Sequence, residues 1–334
     1  MFFPNDLGLL YVALDKPLEA FEVMKRAMQQ TSNPDDLFRG CFMMAMLYIR
    51  EFKKKDISEA EAYLERGLKE LARSDIPSDF KLFYTTFNRN GLALIRHRQG
   101  RYQEAIEICQ WCYEQVNNLL KPEEHQLYRS ILHFNIAQVY DFIGNYAEAI
   151  TYITAAIAID PNYSEYYNLR GNLYFNIGCL DDALNDYFQA IQLSAPYPEV
   201  WANLGQCYRR LEEFNKAVDA YSNALDLQPN EFSVLVARAQ VLEILGEEDK
   251  ALLDYNAALT LDSNQPFVLA NRAIVYYEAK RYQEALDDLN QAILLSPKTA
   301  DLYQNRAIAF TALGQEELAL QDSRTYLLLS NTVP

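Results

Sequence analysis

Residues 199–231, EVWANLGQCYRRLEEFNKAVDAYSNALDLQPNE, set apolar and small side chains three and four positions apart in two successive runs, and a proline closes the second. That period predicts two amphipathic helices joined by a short polar turn. The pattern returns on both sides at one spacing. Trp201, Leu204, Gly205, Tyr208, Ala217, Tyr221, Ala224 and Pro229 are matched one copy earlier by Tyr167, Gly171, Tyr174, Ala183, Tyr187 and Ala190. Before those come Ala137, Tyr140, Ala149, Ala156 and Pro161. Downstream, Ala239, Ala251, Tyr255 and Ala258 fall in step, then Ala273, Tyr276, Ala285, Ala292 and Pro297, then Ala307, Phe310 and Ala319. Six copies run at a 34-residue period from Ser130 to the C-terminus without insertion or deletion.

The N-terminal third departs from this period. Residues 1–34 fit it through Leu7, Gly8, Tyr11, Ala20, Met24 and Ala27. Predicted helix starts at Pro34, Pro77 and Pro122 are then 43 and 45 residues apart, each proline standing where a first helical turn tolerates one. DISEAEAYLERGLKEL and GRYQEAIEICQWCYEQV read as the second helices of two expanded repeats. The expected organisation is therefore residues 1–121 as one regular and two expanded repeats, and 122–334 as six regular ones.

A bulky residue, Leu-Gly, an aromatic, then Ala, an aromatic, Ala and Pro at this period resembles the tetratricopeptide repeat (TPR) family. The resemblance implies an all-α fold, a right-handed superhelical solenoid of antiparallel helix pairs whose first helices line a concave groove. Small residues let paired helices approach, Tyr, Phe and Leu fill the gaps, and no hairpin buries its faces without a neighbour. The functional expectation is a non-enzymatic scaffold or adaptor holding a protein or peptide in that groove. The alternative is a recognition segment of a larger protein or complex whose catalytic part lies elsewhere. The final run, LALQDSRTYLLLSNTVP, favours that alternative: it has no polar capping helix, and a second copy of the chain or an added domain would cover it.

Composition narrows the partners. The formal charge is -16 and the pI about 4.7, which opposes nucleic acid and anionic membrane alike, because both attract Lys and Arg. The N-terminus lacks a basic segment and a small-residue cleavage site, and the densest apolar run, CFMMAMLYI, falls far short of the roughly 20 residues that span a bilayer. A cytoplasmic protein is expected. Five cysteines in a chain of this length do not resemble a secreted disulfide framework, so reduced thiols are expected.

Candidate chemistry is sparse, and no cofactor or metal motif is present. His97, His125 and His133 belong to no metal or triad pattern. CQWC, Cys109 to Cys112, falls at helix positions otherwise held by core residues, and no second CxxC completes a zinc site. REFKKKD, Arg50 to Asp56, reads as a solvated turn, and most of the 24 tyrosines occupy packing positions.

An amide series is the informative non-core pattern. The sixth residue of the repeats is Asn135, Asn203, Asn271 and Asn305, and three residues later on the same helical face stand Gln138, Asn172, Gln206 and Gln240. Such amides can hold a peptide main chain with little regard to its side chains. They resemble the asparagine ladder of TPR superhelices such as the one preceding the catalytic domain of O-GlcNAc transferases. Leu169 and Ala237 interrupt the series, and Asn168 stands one position early. The carboxylate clamp of chaperone-binding TPR domains is matched only by Asn168, Asn172 and Asn203; its cations are replaced by residues such as Ser233 and Ala237. Glu165, Glu199 and Asp301 near helix starts and Arg209 and Arg210 near a helix end predict a groove of mixed charge.

Overall fold

The computed structural model describes residues 16–51, 56–194 and 198–331, all helix and turn with no strand among them. The chain forms two compact units, 1–177 and 178–334. This boundary falls inside the repeat beginning at Ser164; the change of period near residue 122 lies within the first unit.

The first unit contains α1 (Pro17–Gln30), α2 (Pro34–Met46, continued by a π-helical segment Leu47–Glu51), α3 (Ile57–Arg73), α4 (Ser78–Arg98), α5 (Tyr102–Leu119), α6 (Gln126–Phe142), α7 (Tyr146–Ile159) and α8 (Ser164–Asn176). The second contains α9 (Leu180–Leu193), α10 (Pro198–Arg210), α11 (Phe214–Leu227), α12 (Phe232–Ile244), α13 (Glu248–Leu261), α14 (Pro266–Glu278), α15 (Tyr282–Leu295), α16 (Ala300–Ala312) and α17 (Glu316–Ser330). The expanded repeats are lengthened in their helices, with 17, 21 and 18 residues in α3, α4 and α5. Leu7, Gly8 and Tyr11, and most of the basic stretch after Glu51, lie outside the described residues.

In each unit, consecutive helices pack as pairs, and each pair packs on the next. First helices also touch their counterparts two helices along: α2 with α4 and α6 with α8 in the first unit, and α10 with α12, α12 with α14 and α14 with α16 in the second. No pair of second helices makes a comparable contact among the described residues. The first helices therefore occupy the inner side of the local curve in both units.

The periodic small residues explain the close pairing. Ala217, Tyr221 and Ala224 of α11 are at most 1% exposed, and a Cβ on Gly205 of α10 would stand 2.5 Å from the Tyr221 ring. The turn inside each regular repeat needs one residue with positive φ. Gly144, Gly178, Gly246 and Gly314 supply it, whereas Glu212 and Lys280 adopt φ of 59° and 60° at the same position. The flanking bonds close the first helix. Gly144 N–H donates to the Asp141 carbonyl and Asn145 N–H to the Tyr140 carbonyl, and Glu212 and Glu213 donate likewise to Arg209 and Tyr208.

The helix start expected at Pro122 is not there. α6 begins at Gln126 behind His125, whose φ is 54°. Pro122 belongs to a turn held by Arg129, a residue 4% exposed. Its guanidinium donates to the carbonyls of Pro122, Val116, Leu120 and Lys121 at 2.7–3.1 Å. These bonds tie the end of α5 and the turn after it to α6.

The second unit carries a periodic tie. Arg238, Arg272 and Arg306 form two-pronged ion pairs with Asp254, Asp288 and Asp322 in the following helix, at 2.6–2.8 Å. The remaining nitrogen of each reaches back to the preceding repeat, donating to Ser222, Asn256 and Asn290 respectively at 2.6–3.0 Å. The aspartate side chains are only 6–8% exposed. In the repeat starting at Pro198 the corresponding positions hold Leu204 and Ala220, both buried.

Candidate functional site

First helices of the first unit enclose a cleft of about 570 Å³. Phe42 and Met46 of α2, Phe87 and Leu94 of α4, Ile131 of α6 and Leu169 of α8 supply apolar wall, and Ala105 and Cys109 of α5 close one side. Its polar lining consists of Asn90, His97, Asn135, Gln138 and Asp141, and none of the lining residues is Lys or Arg. Mostly apolar walls with a few placed polar groups are the usual composition of a binding cleft.

Asn135, the first of the amide series, donates to the Oδ1 of Asn90 at 2.9 Å. The Cys109 thiol approaches the same oxygen at 3.6 Å. The pair spends one N–H of Asn135, leaving its Oδ1 and second N–H and both N–H groups of Asn90 for other partners. Asn90 precedes Asn135 by 45 residues, the interval between Pro77 and Pro122. The amide series thus continues into an expanded repeat, where a search at the 34-residue period does not look.

Gln138 is exposed and lines the same cleft. Asn168 is buried and Asn172 half-buried on α8, and the cleft takes Leu169 from that helix rather than either of them. In the second unit Asn203 of α10, Gln240 of α12, Asn271 of α14 and Asn305 of α16 are half-buried, while Gln206 and Arg209 of α10 are exposed. The Tyr255 hydroxyl, one helix before Asn271, donates to Glu243 Oε2 at 3.1 Å. Asn135 therefore bonds a neighbouring helix as well as belonging to the series.

Besides the Cys109 thiol, two ionisable groups of the cleft are shifted. Burial, reinforced by the charge of Arg98, lowers the pKa of His97, whose Nε2 is buried without a hydrogen-bond partner. The ring lies edge-on to Phe142 and Tyr102 at 5.1 and 5.5 Å. Burial raises the Asp141 pKa, and no cation among the described residues forms an ion pair with it.

The remaining candidates belong to packing. His125 stacks on Phe83 at 4.0 Å, and His133 lies 4.2 Å from the Tyr113 ring. Cys109 and Cys112 are at most 1% exposed, and burial drives both thiols upward, Cys112 to about 12. A thiol held protonated is neither a nucleophile nor a metal ligand. No group of three His, Cys, Asp or Glu able to hold a metal occurs among the described residues. No helix among them is long and apolar enough to cross a membrane.

Tetratricopeptide repeat models match residues 84–162, 152–185, 198–231, 232–265 and 266–299, and a TPR repeat model matches 171–212. The matches are continuous from 84 to 299. A 97-residue stretch is 27% identical to the human N-alpha-acetyltransferase 16, NatA auxiliary subunit. It covers 29% of this chain and 11% of that protein, so the shared region is about a tenth of the relative's length. Among solved structures, Pseudomonas aeruginosa PilF overlays with a TM-score of 0.53 at 16% identity, over 63% of this chain and 96% of its own. A tetratricopeptide repeat protein from Parabacteroides merdae ATCC 43184 overlays with a TM-score of 0.52 at 19% identity, over 75% and 93%. At these identities the likeness is one of fold.

Proposed function

Since the chain belongs to the tetratricopeptide repeat family, we propose that it is a non-enzymatic scaffold or adaptor that seats a partner polypeptide against its first helices. The observation that carries this reading is the cleft of the first unit, where the Asn90–Asn135 amide pair stands among apolar walls. Amides would engage the partner's main chain and the walls its side chains. In the second unit Asn203, Gln206, Arg209, Gln240, Asn271 and Asn305 form a separate candidate surface for the same work.

The test is a pull-down from lysate read by mass spectrometry with three proteins: wild type, an Asn90→Ala/Asn135→Ala variant and an Asn203→Ala/Asn271→Ala/Asn305→Ala variant, each shown to fold by circular dichroism. Proteins lost from one variant identify the seat that binds them. Retention of every protein by both variants refutes a role for the amides.

A second reading has its own support. The human relative is an auxiliary subunit, so this chain would serve as a recognition part of a larger cytoplasmic assembly whose chemistry is elsewhere. Leu327 and Leu328 of α17, 57% and 70% exposed, are then the surface for an added domain or a second copy. Sedimentation of the chain alone and of a Leu327→Lys/Leu328→Lys variant separates a homodimer from a monomer awaiting another protein.

A further inference from the structure

The cleft holds one carboxylate, Asp141, and it has no counter-charge. Every other lining residue is apolar or neutral in its ordinary state apart from His97. Neither Lys nor Arg lines the cleft, and no ion pair among the described residues involves Asp141. A carboxylate half removed from water in apolar surroundings is costly unless something positive meets it. His97 does not serve, because its burial and the charge of Arg98 favour the neutral ring.

We propose that the partner seated in this cleft is an apolar peptide segment carrying a basic side chain, Lys or Arg, whose cation pairs with Asp141. The inference rests on the scaffold reading given above and adds the chemistry of the partner to it. Phe42, Met46, Phe87 and Ile131 take the apolar side chains, the Asn90–Asn135 pair takes main-chain groups, and Asp141 selects the charge. The polarity is opposite to that of a carboxylate clamp, in which the repeat protein supplies the cations. It also agrees with the overall charge of -16, which speeds encounter with basic segments. A charge-assisted bond in a partly desolvated cleft is expected to contribute roughly tenfold to a hundredfold in affinity.

The experiment is selection of a displayed random dodecapeptide library on the immobilised full chain, with sequencing of the enriched peptides. Wild type, Asp141→Asn and Asp141→Lys are compared, each checked for native circular dichroism, and cleft binders are recognised by their loss from the Asn90→Ala/Asn135→Ala variant. Expected are apolar peptides with an enriched Lys or Arg on wild type, loss of that enrichment on Asp141→Asn, and enrichment of Asp or Glu on Asp141→Lys. A synthetic copy of the best wild-type peptide should bind Asp141→Asn at least tenfold more weakly, and should lose affinity on acidification as Asp141 takes up a proton. Cleft-binding peptides without a basic preference, or with one that Asp141→Asn leaves intact, overturn this inference while sparing the scaffold reading. No cleft-dependent peptide at all overturns both.

Discussion

Arg272 is the sharpest place to test how the second unit is held. Its Nε and one terminal nitrogen meet Asp288 at 2.7 and 2.6 Å, and the other terminal nitrogen meets Asn256 of the preceding repeat at 2.6 Å. The arginine and aspartate side chains are 18% and 8% exposed. Truncating Arg272 to Ala leaves a buried carboxylate without its cation and an amide oxygen without its donor. Breaking a buried pair in this way costs about 3–5 kcal/mol. Replacing both partners is another matter, and the chain contains a solution, because the repeat starting at Pro198 buries Leu204 and Ala220 at these positions. The Arg272→Leu/Asp288→Ala variant should therefore lie within about 1.5 kcal/mol of wild type, apolar packing of similar shape being roughly equivalent to a buried pair. The assay is urea denaturation of wild type, both single variants and the double, with amide hydrogen exchange of α14 and α15 as a local readout. A single variant costing less than about 1 kcal/mol, or a double variant as costly as the sum of the singles, refutes the reasoning.

Other outcomes follow from particular contacts. Of the five cysteines, Cys179 is exposed and the other four are buried, so a thiol reagent should label one site in native protein and five in urea. Gly205→Ala should destabilise by about 1–3 kcal/mol despite the better helix propensity of alanine, since the added methyl meets the buried Tyr221 ring; an unchanged urea midpoint contradicts this. Glu212→Gly and Lys280→Gly should each stabilise by up to about 1 kcal/mol, because both residues hold a left-handed φ that glycine adopts freely, and a lower melting temperature would contradict it. Asp141 has a folded pKa above its unfolded one, so its favourable contribution is present below the ordinary carboxylate range and lost as pH rises through the raised value. Asp141→Asn should accordingly melt higher than wild type at pH 7, with a difference that shrinks on acidification.

The paired helices were legible because Ala, Gly and aromatic positions recur jointly, and the second-helix positions among them, Tyr187, Tyr221 and Tyr255 included, are buried. What escaped had physical causes. Pro122 suits a first helical turn, yet Arg129 draws it into a turn through contacts that have no local signature. Asn90 repeats at the interval of the longer helices and is invisible at the shorter period. Arg238, Arg272 and Arg306 recur at 34 residues, but their partners sit in a different helix, and only the packing shows that each cation is already spent. Glu212 and Lys280 conceal a turn that glycine announces elsewhere. Asp141 is one acid among 46, and its isolation is a property of its surroundings.

The arginine tie also bears on how such a gene can change length. Each tie reads a small hydrogen-bonding side chain one repeat back and an aspartate one helix forward, always at the same interval of 16 residues. If residues 266–299 were deleted in frame, Arg306 would follow Asn256 at the interval Arg272 keeps now, and the joint would close on equivalent chemistry. Loss or duplication of a whole repeat should thus give a shorter or longer array that still folds, whereas a deletion of any other length would break the 16-residue interval of the tie that spans the joint.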